Sequence, residues 1–267
     1  MIYGAILGDY IGSRFEYSNI KTKKFELFHY NCYYTDDSIM TLAIMEACEK
    51  IKKNGYEVYE QVEQYFTESM QKWGRLFPNP KGGYGTSFNY WIFNDNPKPY
   101  NSFGNGSAMR VSAVGWLFDS LEEVEKFAEW SAKPTHNHPE GIKGAKVTAS
   151  CIFLARTGHS KKEIKQYVKQ YYMLEKCDKV RPTYRFDVTC QGTVPVAIEC
   201  FLESNNFEDA IRLAISMGGD SDTIGAITCS IAESFYGIPE NMLEKAKEIL
   251  DKIEEDKKIN EIQLPYI

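Results

Sequence analysis

Apolar residues recur every three to four positions along most of the chain, which is the spacing of helices with one buried face. This spacing predicts a helix from Ser38 to Lys50 that ends at Asn54-Gly55. Asn206 to Asp209 resembles a capping box before another helix, which ends at Gly218-Gly219. Alternating runs typical of strands are scarce, so the pattern predicts an all-α fold, a compact bundle of many helices.

Three further segments carry helix signals. Ser160-Lys161-Lys162-Glu163 is a capping box that opens a segment through Leu174. Pro239-Glu240 opens an amphipathic helix, and another helix is predicted from about Gly141 to Arg156.

The first predicted helix runs from Ile2 to Ser13. Its glycines recur at every fourth position and share one face: Gly4, Gly8 and Gly12. Each costs ~1 kcal/mol relative to alanine inside a helix, so three on one face require a reason. Close approach of another helix, one that bears an acidic cluster, would supply it. Asp9 near this face fits a buried hydrogen-bonding role as well as a functional one.

Two short acidic clusters each precede a long apolar helix: Thr35-Asp36-Asp37 and Asp220-Ser221-Asp222-Thr223. Their carboxylate and hydroxyl oxygens suit Mg²⁺, Mn²⁺ or Ca²⁺ rather than zinc, provided that the fold joins the two ends of the chain. Glu16, just beyond the first helix, could reach the same centre. Taken alone, either cluster is better explained by ordinary N-capping, with carboxylates favoured by the helix dipole.

Composition narrows the class of protein. The chain has 267 residues with 43% hydrophobic content, and we expect a single domain over residues 1–267. A net charge of −6 without a basic stripe argues against a nucleic-acid partner, and the acidic surface is compatible with a monomer. Without an apolar run of ~18 residues or a basic signal region, we expect a cytoplasmic protein with no membrane partner. Seven scattered cysteines indicate reduced thiols, several in helix cores.

Residues 74–110 depart from the helical pattern and are rich in Gly, Pro, Asn and aromatic residues. Long loops in compact domains are often functional. This one contains Gly82-Gly83-Tyr84-Gly85 and residues 102–107, both able to expose backbone N–H groups to a phosphate. A surface excursion with tight turns explains them equally well. Tyr84 and Phe103 could stack on a base or belong to a satellite core.

Thr135-His136-Asn137-His138-Pro139 precedes the helix at 141–156. The letters H-N-H suggest a nuclease. We reject this interpretation, because the HNH nuclease fold needs a ββα-metal unit and basic surroundings, whereas this segment lies among predicted helices in an acidic protein. His136 could instead bond a phosphate or sugar, although a turn histidine that holds backbone carbonyls explains it equally well.

In combination these motifs resemble those of the ADP-ribosylglycohydrolase family, over almost the whole chain. The matching segments, in order, are Gly8-Asp9-Tyr10-Ile11-Gly12-Ser13-Arg14-Phe15-Glu16, Thr35-Asp36-Asp37-Ser38, Gly82-Gly83-Tyr84-Gly85, Gly104-Asn105-Gly106-Ser107-Ala108-Met109-Arg110, Thr135-His136 and Gly218-Gly219-Asp220-Ser221-Asp222-Thr223.

The resemblance implies an orthogonal helical bundle whose central cleft holds two Mg²⁺ ions, or Mn²⁺, and an ADP-ribosyl group. The implied metal ligands are Thr35, Asp36, Asp37, Asp220, Asp222 and Thr223. Glu16 matches an acid on a mobile segment that gates the site. The implied substrate-binding residues are Gly82, Gly83, Tyr84, Gly85, Ser102, Phe103, Gly104, Asn105 and His136. Some relatives carry tyrosine where this chain has Phe103, so stacking is retained there but a hydroxyl contact is not.

The implied function is a hydrolase that frees ADP-ribose from a modified protein or a small conjugate by cleaving the glycosidic bond at the distal ribose. The general base is one of Glu16, Asp36 and Asp37, and the sequence leaves this choice open. Arginine-linked protein is the favoured substrate; the alternatives are serine-linked, poly- and O-acetyl-ADP-ribose. A non-catalytic ADP-ribose-binding relative, a metal-dependent phosphohydrolase and a regulatory binding partner are the rival functions.

Overall fold

Helices account for all the regular secondary structure that the computed structural model describes, over residues 1–263. Within this range there is no β-strand, only an isolated bridge between Gly104 and Thr189. None of these helices is both long and apolar enough to cross a membrane. The helices, in chain order, are α1 (Tyr3–Gly12), α2 (Asp36–Asn54), α3 (Tyr59–Leu76), α4 (Thr86–Ile92), α5 (Gly106–Met109), α6 (Ser112–Leu117), α7 (Leu121–Ala132), α8 (Pro139–Arg156), α9 (Lys161–Val168), α10 (Cys177–Val180), α11 (Cys190–Glu203), α12 (Phe207–Ser216), α13 (Ser221–Tyr236) and α14 (Glu240–Gln263).

The glycines of α1 lie against α13, as predicted. A Cβ added to Gly8 would lie 2.1 Å from the carbonyl oxygen of Gly225, and one added to Gly4 would lie 2.2 Å from that of Cys229. Because the α1 positions rise by four while their α13 partners fall by four, the two helices run antiparallel. Only glycine permits this contact, which joins the start of the described chain to one of the helices with an acidic cluster.

The central helix of the bundle is α13, since its residues 221–233 are all buried. It contacts α1, α8, α11 and α12, and the apolar side chains of these helices belong to one hydrophobic core. All seven cysteines are free and buried, in agreement with the prediction of reduced thiols. The acidic start of α13 therefore lies deep in the bundle.

The predicted caps are largely present. Thr35 caps α2 by accepting from the N–H of Asp37, and Gly55 ends this helix with a φ of 73°. Ser160 and Glu163 form the predicted capping box of α9, and Asn206 caps α12. These contacts fix where each helix begins.

Two predictions of element extent were wrong. Helix α9 ends at Val168 rather than Leu174, because the chain turns there through hydrogen bonds from Tyr171 and Tyr172 to the carbonyl of Val168. The region 74–110 is not wholly non-helical, since it contains α4 and α5. Helix α4 forms because Phe88, Trp91 and Ile92 are buried on one face.

Candidate active site

The start of α2 is held by a buried carboxylate on α1. Asp9 accepts hydrogen bonds from the N–H of Thr35 at 2.9 Å, the Oγ1 of Thr35 at 2.8 Å and the N–H of Ser38 at 3.0 Å, and also from the Oγ of Ser38. Burial raises the pKa of Asp9 to about 6, although all of these donors favour the carboxylate. Asp9 thus has the hydrogen-bonding role, and it places the adjacent Asp36 and Asp37.

The second acidic cluster follows the turn between α12 and α13. Gly218 and Gly219 adopt φ values of 67° and 73°, which favour glycine. Ser221 donates to the carbonyl of Gly12 at 3.0 Å, so the turn is fastened to the end of α1. The Oγ1 of Thr223 donates to Asp37 at 3.3 Å. The fold therefore joins the two clusters, the condition on which the sequence-based metal site depended.

Glu16 completes the acidic centre. It follows a single 3-10 turn, Ser13–Phe15, after α1. Carboxylate oxygens of Glu16, Asp220 and Asp222 all lie within 4.8 Å of one another. Such a spacing lets a single cation contact all three carboxylates.

The acidic centre lacks compensating positive charge. Within residues 1–263, no Lys, Arg or His lies within ion-pair distance of its carboxylates. Burial, and then the repulsion between neighbouring carboxylates, raises the pKa values of Asp36, Asp37 and Asp222 well above their ordinary value. One oxygen of Asp37 and one of Glu16 are buried without a hydrogen-bond partner. The all-oxygen donor set and its unpartnered atoms fit a hard divalent cation.

These carboxylates line a cleft of about 480 Å³. Most of the predicted site residues line it. They are Glu16, Asp36, Asp37, Gly82, Gly83, Tyr84, Gly85, Ser102, Gly104, Asn105, His136, Asp220, Asp222 and Thr223. Two predicted residues do not contribute to its surface: Thr35 is fully buried beneath the start of α2, and Phe103 packs its ring on His138, with centroids 5.3 Å apart.

One wall of the cleft is the glycine turn before α4. Gly82 and Gly83 have φ values of 86° and 84°, a conformation that side chains other than glycine rarely adopt. Within residues 1–263, the N–H groups of Gly82, Tyr84 and Gly85 donate no hydrogen bond. Burial raises the pKa of Tyr84, so its hydroxyl, which has no protein partner, stays protonated. This wall therefore has three backbone N–H groups and one hydroxyl that donate no hydrogen bond to the described part of the protein.

Another part of the cleft lining comes from Ser102, Gly104 and Asn105. The amide Nδ2 of Asn105 donates to Asp220 at 2.6 Å and to the Oγ1 of Thr193 at 3.1 Å. The Oγ of Ser102 accepts from the N–H of Gly104 at 3.1 Å, which closes a tight turn. Asn105 is thus a direct link between the glycine-rich motif and the acidic centre.

Several residues of the cleft were not predicted. They are Tyr17, Thr86, Ser87, Phe88, Gly106, Met109, Arg110, Phe186 and Val188. Phe186 stacks on Tyr17 at 6.1 Å, and the carbonyl of Val188 accepts from the N–H of Asn105 at 2.7 Å. The segment that bears Phe186 and Val188 has no sequence motif that could have revealed it. Met109 and Arg110, in contrast, belong to the motif at residues 104–110 on which the family resemblance rests.

Comparison with known proteins agrees with this arrangement. The sequence profile described as ADP-ribosylglycohydrolase matches residues 1–264. The mouse protein ADP-ribosylhydrolase ARH3 is 26% identical, over 88% of this chain and 82% of its own length. ADP-ribosylarginine hydrolase Tri1 of Pseudomonas putida is 25% identical, over 77% of this chain and 59% of its own length.

A solved structure of an ADP-ribosylglycohydrolase-related protein complex has the same fold. Its TM-score is 0.68 at 20% identity, over 92% of this chain and 91% of that chain. With the profile match, these findings show that the chain belongs to the ADP-ribosylglycohydrolase family. It is accordingly a hydrolase of the ADP-ribosylglycohydrolase class, and the resemblance seen in its sequence motifs is confirmed.

Proposed function

We propose that this protein is a Mg²⁺-dependent hydrolase that frees ADP-ribose from a modified protein by cleaving the glycosidic bond at the distal ribose. The observation that carries the proposal is that both acidic clusters and Glu16 come together in one cleft, which glycine turns also line. Arginine-linked protein is the substrate that we place first, because the relative Tri1 is named for that linkage.

The glycine wall is suited to the diphosphate. The N–H groups of Gly82, Tyr84 and Gly85 are free to donate, and they lie on the cleft beside the acidic centre. Consecutive backbone donors in a turn bind phosphate oxygens without needing a basic side chain. Binding of the diphosphate there would leave the distal ribose near the carboxylates.

The acidic centre would act on the ribose. The residues that line the cleft and would hold the divalent ions are Asp36, Asp37, Asp220, Asp222 and Thr223. Thr35, predicted with them, is fully buried and would support the ligands beside it through its contacts with Asp9 and Asp37. Such ions supply charge stabilisation and lower the pKa of water. Cleavage at the anomeric carbon passes through an oxocarbenium-like state, so carboxylates near the ribose stabilise its developing positive charge.

A base must also take the proton of the attacking water. We propose that one of Glu16, Asp36 and Asp37 does so. Asp36 is partly exposed to the cleft, whereas Asp37 is buried. Burial, with repulsion from Asp220, raises the pKa of Glu16 to about 7.

A substrate panel tests the proposal. Arginine-linked, serine-linked, poly- and O-acetyl-ADP-ribose are each incubated with the protein, with Mg²⁺ or with EDTA, and free ADP-ribose is measured. We expect metal-dependent release from the arginine linkage. Release from another linkage alone would correct the substrate, and ADP-ribose binding without release from any of them would indicate a binding protein.

A further inference from the structure

A buried arginine in the cleft wall carries a charge without a carboxylate partner. Arg110 is 1% exposed, and no carboxylate among residues 1–263 lies within ion-pair distance of it. Its Nη2 donates to the carbonyl of Ser131 at 3.3 Å and to the Oγ1 of Thr135 at 2.8 Å. Its Nε is buried without a partner. The guanidinium carbon lies 5.6 Å from the centre of the Phe88 ring, but no anion balances this buried charge, so its position calls for a specific role.

The contact with Arg110 limits the hydrogen-bonding roles that are left to the hydroxyl of Thr135. A guanidinium can only donate, so the Oγ1 of Thr135 accepts from Arg110 and has its own proton left to donate. Two acceptors are near this hydroxyl: the Nδ1 of His136 at 2.7 Å and the carbonyl of Ala132 at 3.5 Å. The shorter contact has the normal length of a hydrogen bond, and the longer one is at the outer limit. If Nδ1 carried the hydrogen and donated to the second lone pair of Oγ1, the hydroxyl proton would have only the distant carbonyl of Ala132, so we take Nδ1 of His136 as the acceptor.

The other ring nitrogen then carries the hydrogen and faces the cleft. A Cβ added to Gly106 would lie 3.1 Å from the Nε2 of His136, and one added to Gly104 would lie 3.6 Å from it. Both glycines and His136 line the cleft, and Nε2 makes no hydrogen bond within residues 1–263. Burial, with the charge of Arg110, lowers the pKa of His136 well below its ordinary value, so the ring stays neutral.

We propose that Thr135, whose hydroxyl accepts from Arg110, is a positioning residue that holds His136 in the Nε2–H tautomer. The ring then offers one donor, and no acceptor, to an oxygen of the bound ADP-ribosyl group beside Gly104 and Gly106. Because this ligand is the one assigned above, the proposal rests on the proposed function. The absence of side chains at both glycines leaves room for the ligand oxygen next to Nε2.

The tautomer can be measured directly. In ¹⁵N-labelled full-length protein, long-range NMR spectra distinguish a protonated ring nitrogen from an unprotonated one, and the His136 signals are those lost in His136→Gln. Thr135→Val removes the hydroxyl while keeping the side-chain shape, and Thr135→Ser keeps the hydroxyl as the matched control. Affinity for ADP-ribose is measured on the same proteins by calorimetry.

We expect the wild type and Thr135→Ser to show hydrogen on Nε2, and Thr135→Val to show a mixture with roughly tenfold weaker ADP-ribose binding. Hydrogen on Nδ1 in the wild type would overturn the proposal, even if Thr135→Val failed to fold. Wild-type affinity in a folded Thr135→Val would also overturn it. Since the tautomer is measured without ligand, Nε2–H in a protein that neither binds nor releases ADP-ribose would instead refute the proposed function.

Discussion

Asn19 and Gly219, which are close in sequence to Glu16 and Asp220, form a reciprocal pair of hydrogen bonds. The Nδ2 of Asn19 donates to the carbonyl of Gly219 at 2.9 Å, and the N–H of Gly219 donates to the Oδ1 of Asn19 at 2.8 Å. The same Nδ2 also donates to the carbonyl of Glu16 at 2.9 Å. One side chain therefore connects the segment that bears Glu16 to the turn that bears Asp220.

Asn19→Ala should lower turnover roughly tenfold or more, because Glu16 would lose its fixed position opposite Asp220 and Asp222. The rate of ADP-ribose release and the affinity for Mg²⁺ are the quantities to measure. The control is Asn241→Ala, an exposed asparagine on α14. Wild-type kinetics in Asn19→Ala would show that the connection does not position Glu16.

Asp222→Asn should stabilise the protein in EDTA while abolishing turnover. Removing one charge relieves the repulsion from Asp220 and Asp37 that raises the pKa of Asp222. We expect the free energy of unfolding to increase by ~1 kcal/mol, which corresponds to a few degrees in Tm. The gain in Tm that Mg²⁺ gives the wild type should be lost at the same time. Thermal melts with and without Mg²⁺ measure both effects, with the exposed Asp251→Asn as control. A lower Tm in EDTA for Asp222→Asn would contradict the account.

In EDTA the wild type should become more stable as the pH falls from about 8 to 6.5. Burial raises the pKa of Glu16 to about 7 and that of Asp9 to about 6, so the folded state binds protons more tightly than the unfolded state. For such groups, stability is greatest when they are protonated and is lost as the pH rises through these values. Below about pH 6.5 the buried His136 acts in the opposite sense, because its pKa is lowered. A Tm in EDTA that is constant or rises with pH would refute this linkage.

Gly8→Ala should destabilise the fold far more than Gly85→Ala. An added Cβ at Gly8 meets the backbone of Gly225 at 2.1 Å, so α1 and α13 would have to separate. At Gly85 an added Cβ has no atom within 4 Å, and the φ of −55° suits any residue. We expect a loss of about 3 kcal/mol or more at Gly8, measured by urea unfolding. Equal losses in the two variants would contradict the close-packing argument.

Local sequence signals predicted the helices and their relation to the acidic centre. The glycines of α1 predicted the close contact with α13, because no other residue type permits such an approach. The hydroxyls of Thr35 and Ser160 predicted the starts of α2 and α9 from short-range hydrogen bonds alone. These features depend on residues a few positions apart, which a sequence displays directly.

The unpredicted parts depend on contacts between distant segments. Val188 reaches the cleft because its carbonyl bonds to Asn105, and the N–H of Cys190 bonds to the carbonyl of Phe103. No spacing along the chain encodes these pairings. Likewise, the sequence left open whether Asp9 has a hydrogen-bonding or a functional role, and only the packing of α2 against α1 supplies its four donors.

We expect ADP-ribose release to depend on a divalent metal, because the fold joins the two acidic clusters. The most direct measurement is release of free ADP-ribose by metal-depleted protein to which Mg²⁺ is added back, on arginine-linked and serine-linked substrates. Wild type, Asp222→Asn and Asp251→Asn are compared. We expect Mg²⁺ to restore release in the wild type and in Asp251→Asn, and we expect no release from a folded Asp222→Asn. Release that persists in EDTA, or that is unchanged in Asp222→Asn, would contradict this expectation.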